Sequence, residues 1–272
     1  MSQSDAVGAA LETVEQAADS GPAHALARAG LVARAAIYTV IGVIALLLAL
    51  GASSRHADQK GAMTELLDHP YGRVMVIALT IGLAGYALWR LSEAAFGAAG
   101  HGKQALPRWQ SLGRALAYTA LTLEALSVLQ GSRESQAHKQ VTLSAQVMAH
   151  TGGRVVVVVA GLVLAGIGVV MVVEGVRLRF MRYLTNVPAT VKPTLVQLGR
   201  VGTIGRGVVF GLMGALVVTA GWTASPGQAG GMDVAMRTLL DRPFGAALVT
   251  VVALGLLAFG CFGFAEARYR RV

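Results

Sequence analysis

Hydrophobic positions along the chain gather into six long stretches separated by short polar segments. The stretches cover residues 31–50, 73–95, 112–130, 154–176, 203–222 and 245–266. Each comes close to or exceeds the roughly 20 residues that a helix needs to cross a bilayer. Unbroken apolar runs such as 155–160 lack the alternation of a barrel strand. The pattern therefore predicts an all-α integral membrane protein with six transmembrane helices.

The six stretches form three copies of a two-helix unit. The first helix of each copy opens with an arginine, a second arginine six residues later and an aromatic residue four residues after that. The three sets are Arg28, Arg34 and Tyr38; Arg108, Arg114 and Tyr118; and Arg200, Arg206 and Phe210. The second helices end on Glu93, Glu174 and Glu266. An internal repeat of this kind decides the architecture before any local feature does.

We place repeat 1 at residues 25–100, repeat 2 at 101–184 and repeat 3 at 185–272. Because each repeat contributes two spans, all three enter the membrane in the same direction. Parallel repeats are related by an axis along the membrane normal. The sequence therefore predicts a bundle of three parallel two-helix repeats with pseudo-threefold symmetry.

Residues 1–24 differ in kind, since they carry four acids and no lysine or arginine. A secretory signal needs a basic start and an apolar core, so this segment is not one. We expect a disordered cytoplasmic tail. The alternative is a short amphipathic helix with Leu11, Val14 and Ala18 on one face.

The charge of the chain sets its expected orientation. Only 14% of residues are charged, against about 25% in soluble domains. Of the 23 lysines and arginines, eight fall in the loops that join the two helices of a repeat, and the rest lie on the side of the termini. The eight are Arg55, Lys60, Arg73, Arg133, Lys139, Arg154, Arg237 and Arg242. The positive-inside rule then predicts that both termini lie in the cytoplasm.

Three segments of repeat 1 resemble a known family. They are the opening ARAGLVARAAIYTVIGVIALLLALG, the connector ADQKGAMTELLDHPYGRVMV and the closing helix GLAGYALWRLSEA. They are similar to the bacterial membrane proteins built from the domain of unknown function 1206, and fainter copies follow twice. The resemblance implies a protein of the bacterial plasma membrane with three paired-helix modules, and it assigns no activity. The middle copy departs most, because it has Thr151-Gly152-Gly153 where the others have a Pro-aromatic-Gly turn.

The repeated charges are the first candidates for function. They are the inner-interface arginines Arg34, Arg114 and Arg206, with the glutamates Glu93, Glu174 and Glu266 at similar depth. Such residues can form one ion pair within each hairpin, or the arginines can extend to the lipid headgroups. Alternatively they form a ring of charge around the central axis, as in channels that select ions.

Glu124 is an acid well inside the third span, where the other copies have Ile44 and Leu216. An ionisable residue at that depth costs about 2.5–3.5 kcal/mol on insertion and is a functional-site hypothesis by default. It could bind a proton or cation during transport. It could also be protonated and hydrogen-bonded, or lie shallower than the pattern indicates. Because no basic residue lies at comparable depth in a span, we expect no buried ion pair.

Other motifs add no chemistry. The loop histidines His56, His69, His138 and His150 lack metal-site spacing. No catalytic or nucleotide-binding signature occurs, so we assign no catalytic, cofactor-binding or metal-binding residue and expect no cofactor. The single cysteine, Cys261, is expected to pack as a small hydrophobe. Amphipathic patches at 62–67 and 236–240 predict short helices on the outer surface.

Three function classes stay open. The first, which we favour, is a non-enzymatic structural or accessory membrane component with a membrane-protein partner. The second is a small transporter or channel that uses Glu124 and the inner charges. The third is a lipid-binding protein or an intramembrane enzyme. The net charge of +9 is concentrated beside the spans, which indicates contact with anionic headgroups at the cytoplasmic face of the bilayer rather than nucleic acid.

Overall fold

The computed structural model describes residues 21–96, 105–132 and 134–270. Within this part of the chain there are six long and three short α-helices. The long ones are α1 (Gly21–Ala49), α3 (Gly72–Phe96), α4 (Ala105–Leu129), α6 (Gly153–Val176), α7 (Lys192–Thr223) and α9 (Gly245–Tyr269). The short ones are α2 (Gln59–Leu67), α5 (Gln136–Met148) and α8 (Gly231–Leu240). The predicted tail over 1–24 falls almost wholly outside the described residues, as does the side chain of Glu93.

The six long helices are apolar and long enough to cross a membrane, which confirms the predicted spans. The short helices connect the two spans of each repeat, at what we call the loop side of the bundle. The opposite side, where α1, α4 and α7 begin and α3, α6 and α9 end, is the terminal side. α7 begins eleven residues before its apolar stretch, and Pro193 lies in its first turn, where a missing N–H costs nothing.

The same tight turn leads into the second span of every repeat. Its second residue has a left-handed backbone, with φ of 63° at Tyr71, 78° at Gly152 and 61° at Phe244. A glycine follows each time, and a Cβ on it would lie 1.7–2.0 Å from a carbonyl oxygen of the preceding short helix. The middle copy therefore forms the same turn without the Pro-aromatic-Gly motif, and Gly152 occupies its left-handed position.

The long helices pack in the order α4, α3, α1, α9, α7, α6. These are five of the six neighbour contacts that a closed ring of three hairpins requires. The sixth, between α4 and α6 of repeat 2, shows no extensive packing along their described lengths. We call this gap the seam. Helix α5 spans it on the loop side, with contacts to α2, α6 and α8. The threefold relation thus stays a prediction, from which the middle repeat departs.

Helices α6 and α7 approach each other on glycines. A Cβ on Gly168 would lie 2.5 Å from the backbone nitrogen of Gly211, and one on Gly161 would lie 2.6 Å from that of Val218. Small residues at such contacts let helices associate in lipid through backbone packing. Cys261, in contrast, does not pack inside the bundle but is exposed on the surface of α9, so that expectation is wrong.

A matched pair of substitutions tests this contact. Gly168→Ala is expected to lower the free energy of unfolding by about 1–3 kcal/mol, because the new methyl group forces two backbones apart. Gly166→Ala meets nothing within 4 Å and should leave stability unchanged or raise it by up to about 1 kcal/mol. Unfolding of both variants in detergent would be followed by circular dichroism, and equal effects would contradict the contact.

Candidate functional site

An ion-pair cluster on the terminal side joins repeat 3 to repeat 1. Glu266 of α9 accepts hydrogen bonds from Arg34 of α1 and from Arg270, one turn further along. All three side chains are about one-tenth exposed. The predicted pairing within a hairpin is therefore wrong for Glu266, since its partner lies in another repeat and not at Arg206. The reason is that α9 packs extensively against α1, which brings the two side chains together.

Arg206 lies against aromatic rings instead of a carboxylate. Its guanidinium carbon is 5.0 Å from the ring centre of Tyr38, 5.1 Å from that of Phe210 and 4.9 Å from that of Phe259. Arg34 lies over the same Phe259 ring at 5.4 Å. Stacking on aromatic faces stabilises a cation by about 0.5–2 kcal/mol. Nε of Arg206 is nevertheless buried without a hydrogen-bond partner.

The other predicted charges have different surroundings. Arg114 is exposed on α4, and Glu174 is half-buried on α6. Neither forms an ion pair with any side chain that the structure describes. Glu93 belongs to the side chains outside the described residues. The structure therefore brings Arg34 and Arg206 together over Phe259 and pairs Arg34 with Glu266. The three repeats do not use their described charges in the same way.

Glu124 forms ion pairs with two lysines of the short helices on the loop side. Nζ of Lys139 in α5 donates to Oε1 of Glu124 at 3.1 Å, and Nζ of Lys60 in α2 lies 4.0 Å from Oε2. Lys60, whose side chain is only 4% exposed, also donates to Oγ of Ser132 at 3.1 Å. The expectation that Glu124 has no basic partner is wrong. The bases come from the short helices, which the hydropathy of the spans could not place.

A third inter-repeat contact, at Asp233, was not anticipated from the sequence. Asp233 of α8 is 3% exposed and accepts hydrogen bonds from Nδ1 of His56 at 2.8 Å, Nε of Arg237 at 3.0 Å and the backbone N–H of Ala57 at 3.0 Å. Because a carboxylate can only accept, Nδ1 of His56 carries the proton. Arg237 also donates to the carbonyl oxygens of Ser54 and Arg55. The available signal was one acid in the first turn of a short helix, where acids are common because they interact favourably with the helix dipole.

The pKa values of the two buried acids on the loop side, Asp233 and Asp58, are shifted in opposite directions. Burial would raise the pKa of Asp233, but the hydrogen bonds from His56, Arg237 and the Ala57 N–H outweigh it and lower the pKa below the usual value. For Asp58, burial dominates and raises the pKa, although its side chain caps α2 by accepting from the N–H of Gly61 at 2.7 Å. Burial and the nearby Lys139 also lower the pKa of Lys60, while Glu124 opposes them.

Comparison with known proteins agrees with the repeat structure. A family model described as Domain of Unknown Function (DUF1206) matches the chain three times, over residues 29–97, 110–177 and 201–270. The chain belongs to the DUF1206 family. Each match coincides with one pair of long helices, so in this DUF1206 protein the family unit is the two-helix repeat. The family resemblance of repeat 1 is therefore confirmed and extends to all three repeats.

The chain is also similar to a protein of Bacillus subtilis (strain 168). That relative is called "Uncharacterized protein YxxB", and it is 28% identical over 250 residues, which cover 90% of each chain. The two proteins thus match along nearly their whole length. No solved structure matches the chain.

A cavity of about 520 Å³ opens on the loop side of this DUF1206 protein. It lies between α2 and the start of α5, and the charged side chains that line it include Arg55, Asp58, Lys60, Asp68, Arg73 and Glu134. Lys60 links the cavity to Glu124. Among the described residues, no group of three or more His, Cys, Asp or Glu side chains is arranged to hold a metal ion.

Proposed function

We propose that this protein is a non-enzymatic structural or accessory component of the bacterial plasma membrane, which presents a rigid three-repeat bundle to another membrane protein. One observation carries the proposal. The acids that could have performed chemistry act instead as links between repeats. Glu266 joins repeat 3 to repeat 1, Glu124 joins repeat 2 to repeat 1, and Asp233 joins repeat 3 to repeat 1.

The proposed orientation has both termini in the cytoplasm. It is supported by the excess of arginine on the terminal side, where Arg177, Arg179, Arg200 and Arg268 flank the spans. In that orientation a cysteine substituted for Ser132, in a Cys261→Ala background, reacts with a membrane-impermeant maleimide added outside the cell. The opposite orientation would leave it unlabelled in intact cells.

A transport role is the second candidate, and the cavity on the loop side is the observation that favours it. The cavity is partly open, and Lys60, which lines it, contacts both Ser132 and Glu124. A proton or small ion that entered there would meet a buried lysine–glutamate pair. In a transport cycle, Glu124 would release Lys60 and Lys139 and bind the transported proton or ion. In a structural role, Glu124 stays paired with both lysines.

Glu124→Gln distinguishes the two roles. Under the structural proposal, proteoliposomes with the native protein show no more proton or cation flux than empty vesicles, and the variant does not change this. The variant also loses about 1–3 kcal/mol of stability, because the buried Lys60 loses a carboxylate partner. The exposed Arg242→Gln is the control and should stay within about 0.5 kcal/mol. A flux that depends on Glu124 would overturn the structural role.

A further inference from the structure

The segment that joins repeat 2 to repeat 3 carries only positive charge on the terminal side. From residue 177 to residue 200 the chain contains no acid. The cations of this stretch are all exposed, and they are Arg177, Arg179, Arg182, Lys192 and Arg200. None of them forms an ion pair with a side chain that the structure describes. We call residues 177–192 the basic linker.

The backbone of the basic linker is held in place by contacts with α9. Near its start lies a 3-10 helix, Arg179–Tyr183, whose buried Phe180 packs edge-on against the ring of Phe262 with 5.1 Å between the ring centres. The backbone N–H of Thr185 then donates to the carbonyl oxygen of Tyr269 at 2.8 Å. Because the backbone is fixed at both points, the arginines are presented on a pre-organised surface, which lowers the entropic cost of binding.

The described acids of the terminal side do not neutralise this surface. The acidic side chains that the structure describes there are Glu174 and Glu266. Glu266 is already shared by Arg34 and Arg270. Glu174 is half-buried on α6, about one turn before the linker, and forms no ion pair with a described side chain. An acidic partner of the basic linker would therefore meet cations that are not paired within the described structure.

The complementary charge is present in the same chain. Residues 1–20, which lie outside the described structure, contain no lysine or arginine, whereas all 23 of these basic residues follow residue 27. The acids of this segment are Asp5, Glu12, Glu15 and Asp19. We call residues 1–20 the acidic segment. Because it directly precedes α1, it enters the bundle from the terminal side, whichever way the bundle crosses the membrane.

The acidic segment is long enough to reach the basic linker. Glu266 of α9 contacts Arg34 of α1, and one turn further along α9 Arg270 pairs with Leu184 of the linker in an isolated β-bridge. The linker is therefore attached to the helix that packs on α1. Twenty extended residues span up to about 66–72 Å, against about 20–24 Å for two helix diameters. Since the segment is tethered, its effective concentration at the linker is in the millimolar range.

We propose that the acidic segment docks on the basic linker through ion pairs between its carboxylates and Arg177, Arg179 and Arg182. Single exposed pairs contribute little, but several pairs on an ordered surface, joined by a short tether, add up to a stable contact. The docked segment covers the linker and keeps its arginines from other anionic partners on that side of the membrane. The contact depends neither on the structural role nor on the orientation proposed above.

The test measures the distance between the two segments in the full-length protein. Nitroxide labels are attached through Ser4→Cys and Thr190→Cys in a Cys261→Ala background, and the protein is studied in phosphatidylcholine nanodiscs by double electron–electron resonance. At about 0.1 M salt, a narrow population of short distances is expected, in place of the broad distribution of an undocked tether. This population should shrink at about 1 M salt, because the Debye length falls from about 10 Å to about 3 Å.

A triple variant of the linker tests the arginines. Replacing Arg177, Arg179 and Arg182 by glutamine is expected to lower the ratio of docked to undocked protein about ten-fold, which corresponds to about 1.4 kcal/mol. The matched control removes three arginines that are exposed on the loop side and should leave the ratio unchanged. Its substitutions are Arg73→Gln, Arg154→Gln and Arg242→Gln. Circular dichroism and elution volume check that each variant is folded.

A triple variant of the acidic segment tests the other partner. Glu12→Gln, Glu15→Gln and Asp19→Asn together should lower the ratio to the same extent, and this variant keeps the test decisive if the arginine variant does not fold. Absence of the short-distance population from the native protein would overturn the proposal. So would a population that survives in both triple variants, or one that falls equally in the control.

A second set of nanodiscs contains phosphatidylglycerol, whose anionic headgroups compete for the same arginines. Docking that persists in these nanodiscs supports the acidic segment as the occupant of the basic linker. Loss of the short-distance population on addition of phosphatidylglycerol would assign the linker to lipid headgroups and overturn the proposal.

Discussion

Replacing Glu266 by glutamine is expected to lower the free energy of unfolding by about 3–5 kcal/mol. The carboxylate is the counter-ion that Arg34 and Arg270 share, and all three side chains are about nine-tenths buried. Removing one member of a buried ion pair leaves the other charge desolvated and uncompensated, and this accounts for the size of the effect. The measurement is the unfolding transition in mixed micelles, followed by circular dichroism as the proportion of denaturing detergent rises.

Two further variants identify the cause. Glu174→Gln removes the acid at the same position of repeat 2, which has no described ion-pair partner, and should change stability by no more than about 0.5 kcal/mol. The double substitution Arg34→Gln with Glu266→Gln should cost less than the sum of the two single ones, because neither then leaves the other unpaired. Additive losses would show that Glu266 acts without Arg34.

The architecture could be predicted because it depends on patterns that repeat. Six apolar stretches of sufficient length gave the spans, and the spacing from Arg34 to Tyr38 and its two copies gave the repeats. The amphipathic patches at 62–67 and 236–240 indicated short helices, and the structure has helices α2 and α8 there. Hydropathy also placed Arg34 and Glu266 at the same depth, which is correct.

The partners of these charges could not be predicted, because they depend on how the hairpins assemble. Arg34 and Glu266 are 232 positions apart, and they meet only because α9 packs on α1. The seam in repeat 2 has the same origin. The α4 and α6 spans match those of the other repeats in pattern, yet each packs on the neighbouring repeat instead of on its own partner.

The surroundings of Glu124 show a further limit. A window of hydropathy treats a loop lysine as solvent-exposed, and it has no means to place Lys60 or Lys139 beside a residue inside a span. In the structure, α2 and α5 pack close over the ends of the long helices, so that Lys60 is buried. The contacts of Asp233 could not be predicted for a related reason. Its partners, His56 and the N–H of Ala57, lie in a loop of another repeat.

The link at Asp233 leads to the second large effect, because Asp233→Ala is expected to cost about 3 kcal/mol of stability. The substitution removes hydrogen bonds from two side chains and leaves the buried N–H of Ala57 without an acceptor. Asp241→Ala is the control, since Asp241 is exposed just beyond α8 and should change stability by about 0.5 kcal/mol or less. Unfolding in detergent at neutral pH compares them, and equal losses would contradict a specific role for Asp233.

The same link has a pH dependence with a definite sign. The pKa of Asp233 is lower in the folded protein than its usual value of 3.8, because His56, Arg237 and the Ala57 N–H bind the ionised form. Its contribution is therefore present above about pH 4 and is lost as the pH falls through the lower, folded value.

Asp58 acts in the opposite direction, because burial raises its pKa. Its ionisation therefore opposes folding as the pH rises above 3.8. The stability difference between native protein and Asp233→Asn should thus shrink on acidification, and that between native protein and Asp58→Asn should shift in the opposite direction. A difference at Asp233 that is constant from pH 7 to about pH 3 would mean that its charge contributes nothing to the link.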